Sequence, residues 1–109
     1  MAKATYVQEG NSLDYRNVGS EKIEAGDIIS LTTRVGVAGT DMEVGSLGSV
    51  AVTGVFSMPK ATGAIALGAL VYFNTTQGKI TTTNTDVPAG FAIATATSSD
   101  ATVLVKLLG

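Results

Sequence analysis

Two glycines, Gly63 and Gly68, have the spacing of a phosphate-binding loop and are the residues that point most directly to chemistry in this chain. Such a loop also needs a lysine, followed by a hydroxyl residue that binds magnesium, directly after its second glycine. The chain has Ala69 and Leu70 at those two positions. We therefore interpret the glycines as turn residues and predict that the chain does not bind nucleotides.

Paired carboxylates are the second kind of residue that could carry catalysis or hold a metal ion. Asp41 and Glu43 lie close together in the chain, and Glu24 and Asp27 flank a predicted turn. The chain has no histidine and no cysteine, which nucleophilic triads and most transition-metal sites require. We predict solvated turn carboxylates in a protein that is not an enzyme and has no cofactor and no metal site. The alternative is a weak calcium site at Asp41 and Glu43, although the dense acidic spacing of a calcium-binding loop is missing.

Charge and hydropathy exclude several classes of partner. The seven lysine and arginine residues are scattered singly and the net charge is −2, whereas nucleic-acid-binding proteins carry a basic patch. No segment approaches the ~20 apolar residues that span a bilayer, and residues 1–6 lack the apolar region of a signal peptide. We expect a protein that is made in a cytoplasm and binds neither nucleic acid nor a membrane.

β-Strands are the elements predicted to position these residues, because small and β-branched residues and 13 glycines dominate a chain of 109 residues. Apolar and polar residues alternate most clearly over residues 49–58, which predicts one half-buried strand ended by Pro59. A capping-box pattern over residues 40–43 allows one short helical turn. The other predicted strands are residues 28–33, 69–74, 79–83, 91–97 and 102–107. The predicted core residues are Val50, Val52, Phe56 and Leu107.

One layout occurs twice in the chain. Residues 25–31 are matched by residues 67–73, and residues 48–52 are matched at the same offset by residues 90–94. A repeated turn glycine with a short apolar run is typical of a compact all-β protein. We predict a β domain over residues 21–109 with two similar halves. The polar residues 1–20 precede it, either as an extended arm or as a first hairpin.

Several segments, taken in order and spacing, resemble the small capsid cement proteins, or head decoration proteins, of tailed phages. The resemblance covers nearly the whole chain, from about Ala4 to Leu107. Members of that family are often labelled RecA/RadA-type recombinases, a label that the incomplete phosphate loop and the short chain contradict. The segments are residues 24–29, 48–56, 58–61, 68–72, 78–81, 88–90 and 103–107.

The resemblance implies a fold and a function. The fold is a small single-domain barrel or sandwich. A β-clip-like fold is favoured because residues 23–27 resemble the turn that opens β-clip domains, and a jelly roll is the alternative. The function is structural: the protein binds the outer surface of a tailed-phage head and stabilises the shell. It is then located in the virion, after synthesis in the cytoplasm of the host bacterium, and its partner is the major capsid protein.

Aromatic and apolar residues outside the predicted core are the candidates for contacts with partners. Tyr72 and Phe91 are expected at an interface between copies of the chain, in a homo-oligomer for which a trimer is favoured and a dimer is the alternative. A non-catalytic binding or adhesion module is the competing function, but it would need surface aromatic residues, and tryptophan is absent. The residues expected to contact the capsid are Tyr6, Val7, Leu13 and Tyr15.

Overall fold

Two antiparallel sheets form the computed structural model of the protein, which describes residues 2–6 and 10–108. The all-β prediction is confirmed, and no helix occurs among these residues. Residues 40–43 do not form the helical turn that the capping-box pattern allowed, because Met42 pairs with Ile23 in a β-bridge. The strands are β1 (Ser12–Arg16), β2 (Ile28–Ser30), β3 (Val35–Ala38), β4 (Leu47–Ala51), β5 (Val55–Pro59), β6 (Leu70–Asn74), β7 (Lys79–Thr81), β8 (Val87–Ala92) and β9 (Thr102–Leu107).

The first sheet has the strand order β1-β4-β3-β2, and the second has the order β5-β9-β8-β6-β7. Neither sheet closes into a barrel, so the open two-sheet arrangement agrees with a sandwich or clip-like fold. The second sheet is curled, because a single parallel bridge between Lys60 and Ile80 joins the end of β5 to β7. Lys60 is buried at this junction, and its Nζ donates a hydrogen bond of 2.9 Å to the carbonyl oxygen of Ala61.

The main core lies on the inner face of the second sheet and is completed by Val35 and Val37 of β3. A smaller cluster around Met42 and Val50 covers the opposite face of the first sheet. The burial predicted for Val50 and Leu107 is confirmed. Val52 and Phe56 are only half-buried and pack against the edges of these clusters. The main cluster consists of Val35, Val37, Met58, Ile65, Val71, Phe73, Ile80, Ala89, Ala92, Ala96, Val103, Val105 and Leu107.

The single strand predicted over residues 49–58 is wrong. The segment contains the end of β4 and the start of β5, which belong to different sheets. Gly54 lies at the break with a φ of 114°, in the left-handed region that favours glycine. The apolar alternation continues through the break because each of the two strands buries every second residue. The strand predicted over residues 91–97 is also misplaced, since β8 runs from Val87 to Ala92.

The same hydrogen bonds recur in the two sheets. Ile23 and Met42 exchange backbone hydrogen bonds of 2.9 and 2.7 Å, and Ile65 and Ala96 exchange bonds of 2.9 and 2.8 Å. After the next turn, the Gly26 amide donates a hydrogen bond of 2.7 Å to the carbonyl oxygen of Ala38. In the second sheet, the Gly68 amide donates a hydrogen bond of the same length to the carbonyl oxygen of Ala92. The unit β2-β3-β4 therefore has the same pairing as the unit β6-β8-β9.

This correspondence agrees with only one part of the repeat in the sequence. Residues 25–31 and 67–73 do lead into corresponding strands, β2 and β6. Residues 48–52 and 90–94 do not occupy corresponding places, because β4 corresponds to β9 whereas β8 corresponds to β3. The offset changes between the strands because the hairpin strand β7 is inserted between β6 and β8.

A glycine occupies the same place in the middle strand of each unit. Gly36 of β3 is paired with Ile29, and Gly90 of β8 is paired with Val71. A Cβ atom on Gly36 would overlap Val50 Cγ1 and would lie 3.0 Å from the carbonyl oxygen of Ala51. A Cβ atom on Gly90 would overlap the carbonyl oxygen of Lys106. The close approach of the next strand therefore requires glycine at both positions.

Replacing Gly90 with alanine is expected to lower the free energy of unfolding by ~2 kcal/mol or more, because the overlapped atom belongs to the backbone of β9. Urea unfolding followed by circular dichroism measures this change. Gly10→Ala is the control, since its Cβ would meet no atom within 4 Å. Equal unfolding free energies for the two variants would contradict the close approach.

Candidate functional site

Gly63 and Gly68, which have the spacing of a phosphate loop, lie in a segment whose backbone is hydrogen-bonded within the domain. Ile65, between the two glycines, pairs with Ala96, and the Gly68 amide donates to the carbonyl oxygen of Ala92. Gly68 has a φ of 85° and lies in the turn before β6. The backbone of this segment therefore forms a turn between paired strands, and the Gly68 amide is not available to a phosphate group.

Two of the four acidic residues singled out in the sequence, Asp27 and Asp41, accept hydrogen bonds from turn amides. Asp27 Oδ2 accepts a hydrogen bond of 2.9 Å from the Glu24 amide, and Asp41 Oδ1 accepts one of 2.8 Å from the Ala25 amide. Lys22 Nζ lies 3.8 Å from Asp41 Oδ2 and 3.6 Å from Glu43 Oε1. No group of three or more potential metal ligands occurs in the part of the chain that the structure describes.

Two open cavities lie between the edge strands of the sheets. One has a volume of about 560 Å³ and the other about 500 Å³, and Gly26, Ile28 and Pro59 line both. Among their lining residues the one carboxylate is Asp27, which is already engaged in the turn. These cavities lack the convergent polar groups of a typical ligand pocket.

The N-terminal residues predicted to contact the capsid divide into two groups. Tyr6 is 72% exposed in the segment before β1, and Leu13 is exposed on β1 itself. Tyr15 shares a face of β1 with Leu13 but is half-buried against the small cluster. Val7 lies outside the described residues. Among the described residues β1 pairs with β4 only, so it forms an edge of the first sheet at which another chain could pair.

Asn17 connects the end of β1 to the rest of the domain, a role that the sequence analysis did not predict. Its side chain is 2% exposed. Nδ2 donates to the carbonyl oxygens of Glu21 at 2.8 Å and Met42 at 3.0 Å, and Oδ1 accepts from the Gly19 amide at 3.1 Å. The Asn17-Val18-Gly19 sequence is typical of an Asx turn and was the signal available.

Tyr72 and Phe91, the residues predicted at an interface between copies, lie on the same outer face of the second sheet. Phe91 is paired with Leu70, and Tyr72 is paired with Pro88. Leu104 is exposed on the neighbouring strand β9. The structure therefore brings the two predicted residues together and adds leucines that the sequence analysis did not select.

Comparison with known proteins decides the family. A model of the phage cement protein family matches residues 7–107, which is nearly the whole chain. The chain belongs to the phage cement protein family. Searches of curated proteins and of solved structures found no match.

Membership of the cement family agrees with the local structure. A cement protein has a structural role in the phage capsid, and the loops of this chain that might have carried chemistry are occupied by turn hydrogen bonds. Among the residues described, no helix is long and apolar enough to cross a membrane. The candidate functional site of this cement protein is therefore a surface, made by the edge strand β1 and the outer face of the second sheet.

Replacing Asn17 with alanine is expected to lower the free energy of unfolding by ~2–3 kcal/mol, because the Glu21 carbonyl oxygen and the Gly19 amide lose this partner at a buried side chain and the Met42 carbonyl oxygen keeps only the Ile23 amide. Chemical denaturation measures the change. The matched control is Asn84→Ala in the exposed loop before β8, which is expected to change stability by less than ~0.5 kcal/mol. A stability of Asn17→Ala equal to that of the control would show that these hydrogen bonds contribute nothing.

Proposed function

We propose that the chain binds the outer surface of a tailed-phage head and stabilises the shell. The observation that carries this proposal is the family match over residues 7–107. The partner is the major capsid protein, and the protein is part of the virion after synthesis in the host bacterial cytoplasm. The role requires no catalytic residue.

The composition of the surface supports attachment to a large assembly. Charged residues make up only 15% of the chain, so most of its surface can leave water without losing the hydration of an ion. A shell offers the same site many times. A small gain in contact energy at each site therefore adds up over the whole head.

The N-terminal segment provides a route to the capsid. Residues 2–6 are all exposed, and the chain then enters β1, whose outer side is open. Fixing a backbone segment against a partner costs ~1–2 kcal/mol per residue, and contacts with that partner would offset the cost. We propose Tyr6, Val7 and Leu13 as capsid contacts, with Tyr15 fixing β1 on the domain from its half-buried position. Copies of the protein are also proposed to associate, as a trimer at threefold positions or a dimer at twofold positions.

Deleting residues 2–10 is expected to leave all nine strands in place and to weaken binding to expanded heads by ~10-fold or more, the equivalent of ~1.4 kcal/mol. Co-sedimentation with heads that lack the protein measures binding, and circular dichroism checks the fold. Val18→Ser, which changes an exposed apolar residue outside the arm, is the control and is expected to bind normally.

A longer deletion distinguishes the contribution of residues 2–10 from that of β1. Removing residues 2–16 also removes β1 and Tyr15, so this variant is expected to lose stability as well as binding. If the protein without residues 2–10 decorates heads as well as the full chain does, the arm is not the capsid contact.

A further inference from the structure

The outer face of the second sheet is unusually apolar for a surface exposed to water. A straight row of paired residues crosses four strands, from Leu70 through Phe91 and Lys106 to Val55. Leu104 lies beside this row, and Leu70 is 63% exposed. Of the eleven large apolar side chains that are exposed among the described residues, five lie on this apolar face. They are Val55, Leu70, Phe91, Ile93 and Leu104.

A small cavity opens at one end of the apolar face. The pairing of β6 with β8 shifts between Val71 and Tyr72, so that Pro88 and not Ala89 lies opposite Tyr72. The shift leaves a cavity of about 180 Å³ between the two strands. An apolar cavity of ~150 Å³ is large enough for benzene, so this one can hold a single large apolar side chain. It is lined by Leu70, Val71, Tyr72, Pro88, Gly90 and Leu108.

A side chain of suitable size stands directly beside the cavity. Phe91 follows Gly90 of the cavity wall and lies opposite Leu70, another wall residue. A ring that is 37% exposed and a cavity of suitable size are thus neighbours on one face. This arrangement suits copies of one chain, because around a symmetry axis each copy can place its ring in the cavity of the next. Two copies exchange rings across a twofold axis, and three copies pass them around a threefold axis.

The apolar face carries little charge. Lys106 is the one charged residue in the row from Leu70 to Val55, and its Nζ lies 3.5 Å from the carbonyl oxygen of Leu107. The row therefore offers no pair of opposite charges for recognition of a charged partner.

We propose that the apolar face is a contact between copies of this chain, with Phe91 of one copy inserted into the cavity of its neighbour. Four strands ~4.8 Å apart and about four residues at ~3.3 Å each give this face an area on the order of 200 Å². A standard interface buries ~800 Å² on each partner, so the face forms the centre of a contact that is weak in the free protein. On a decorated head, which is the proposed function, a high local concentration would strengthen it.

Cysteine cross-linking of the free protein tests the geometry, because the natural chain has no cysteine. A mass-labelled F91C variant is mixed with L70C, oxidised mildly at high protein concentration and examined by mass spectrometry. The expected product is the mixed F91C–L70C disulfide, at several times the yield obtained with L47C. Leu47 is the matched control because it is 56% exposed on the other sheet. Equal yields with L70C and L47C would overturn the proposal.

Sedimentation velocity over a range of concentrations gives the second measurement. Association of the natural protein is expected to rise with concentration and to fall at least several-fold in Phe91→Ser, while Leu47→Ser leaves it unchanged. Should Phe91→Ser misfold by circular dichroism, Leu70→Ser serves instead because that residue is more exposed. Dimers and trimers both support the contact. A protein that stays monomeric at every concentration and forms no mixed disulfide contradicts it, whatever its behaviour toward heads.

Discussion

The close approach of backbones at Gly36 and Gly90 is the constraint on which the rest of the structure depends. Each glycine lies in the middle strand of a three-stranded unit, at a place where a Cβ would overlap the neighbouring strand. The strands can then pack with small side chains, and the main core consists largely of valine, alanine and isoleucine. The turn before β2 is held by side chains as well. Asp27 and Asp41 accept hydrogen bonds from the amides of Glu24 and Ala25, which precede the strand.

Several polar groups that might have carried chemistry bond to the backbone of the described residues instead, which leaves surfaces as the candidate functional sites. Asp27 and Asp41 accept turn amides, and Gly68 lies in a turn. Two surfaces are left for partners. One is the edge of the first sheet formed by β1, and the other is the apolar face on the outside of the second sheet. In the proposed function the first surface contacts the shell, and the second is proposed to contact neighbouring copies.

The sequence predicts local features of this fold well and non-local ones poorly. The strand over residues 102–107 is found where it was predicted, and β6 and β7, which pair as a hairpin, lie within the strands predicted over residues 69–74 and 79–83. The break at Gly54 was missed because β4 and β5 alternate in phase across it. The role of Asn17 depends on Met42, which is distant in the chain. The cavity beside Phe91 arises from a shift in strand pairing, and composition and periodicity carry no trace of such a shift.

Electron cryo-microscopy of expanded heads incubated with the purified protein tests the central claim most directly. The account predicts new density on the outer surface of the shell at regular lattice positions, with the edge strand β1 and residues 2–6 directed toward the capsid protein. Heads that stay bare at saturating protein, or density found only inside the shell, would contradict it.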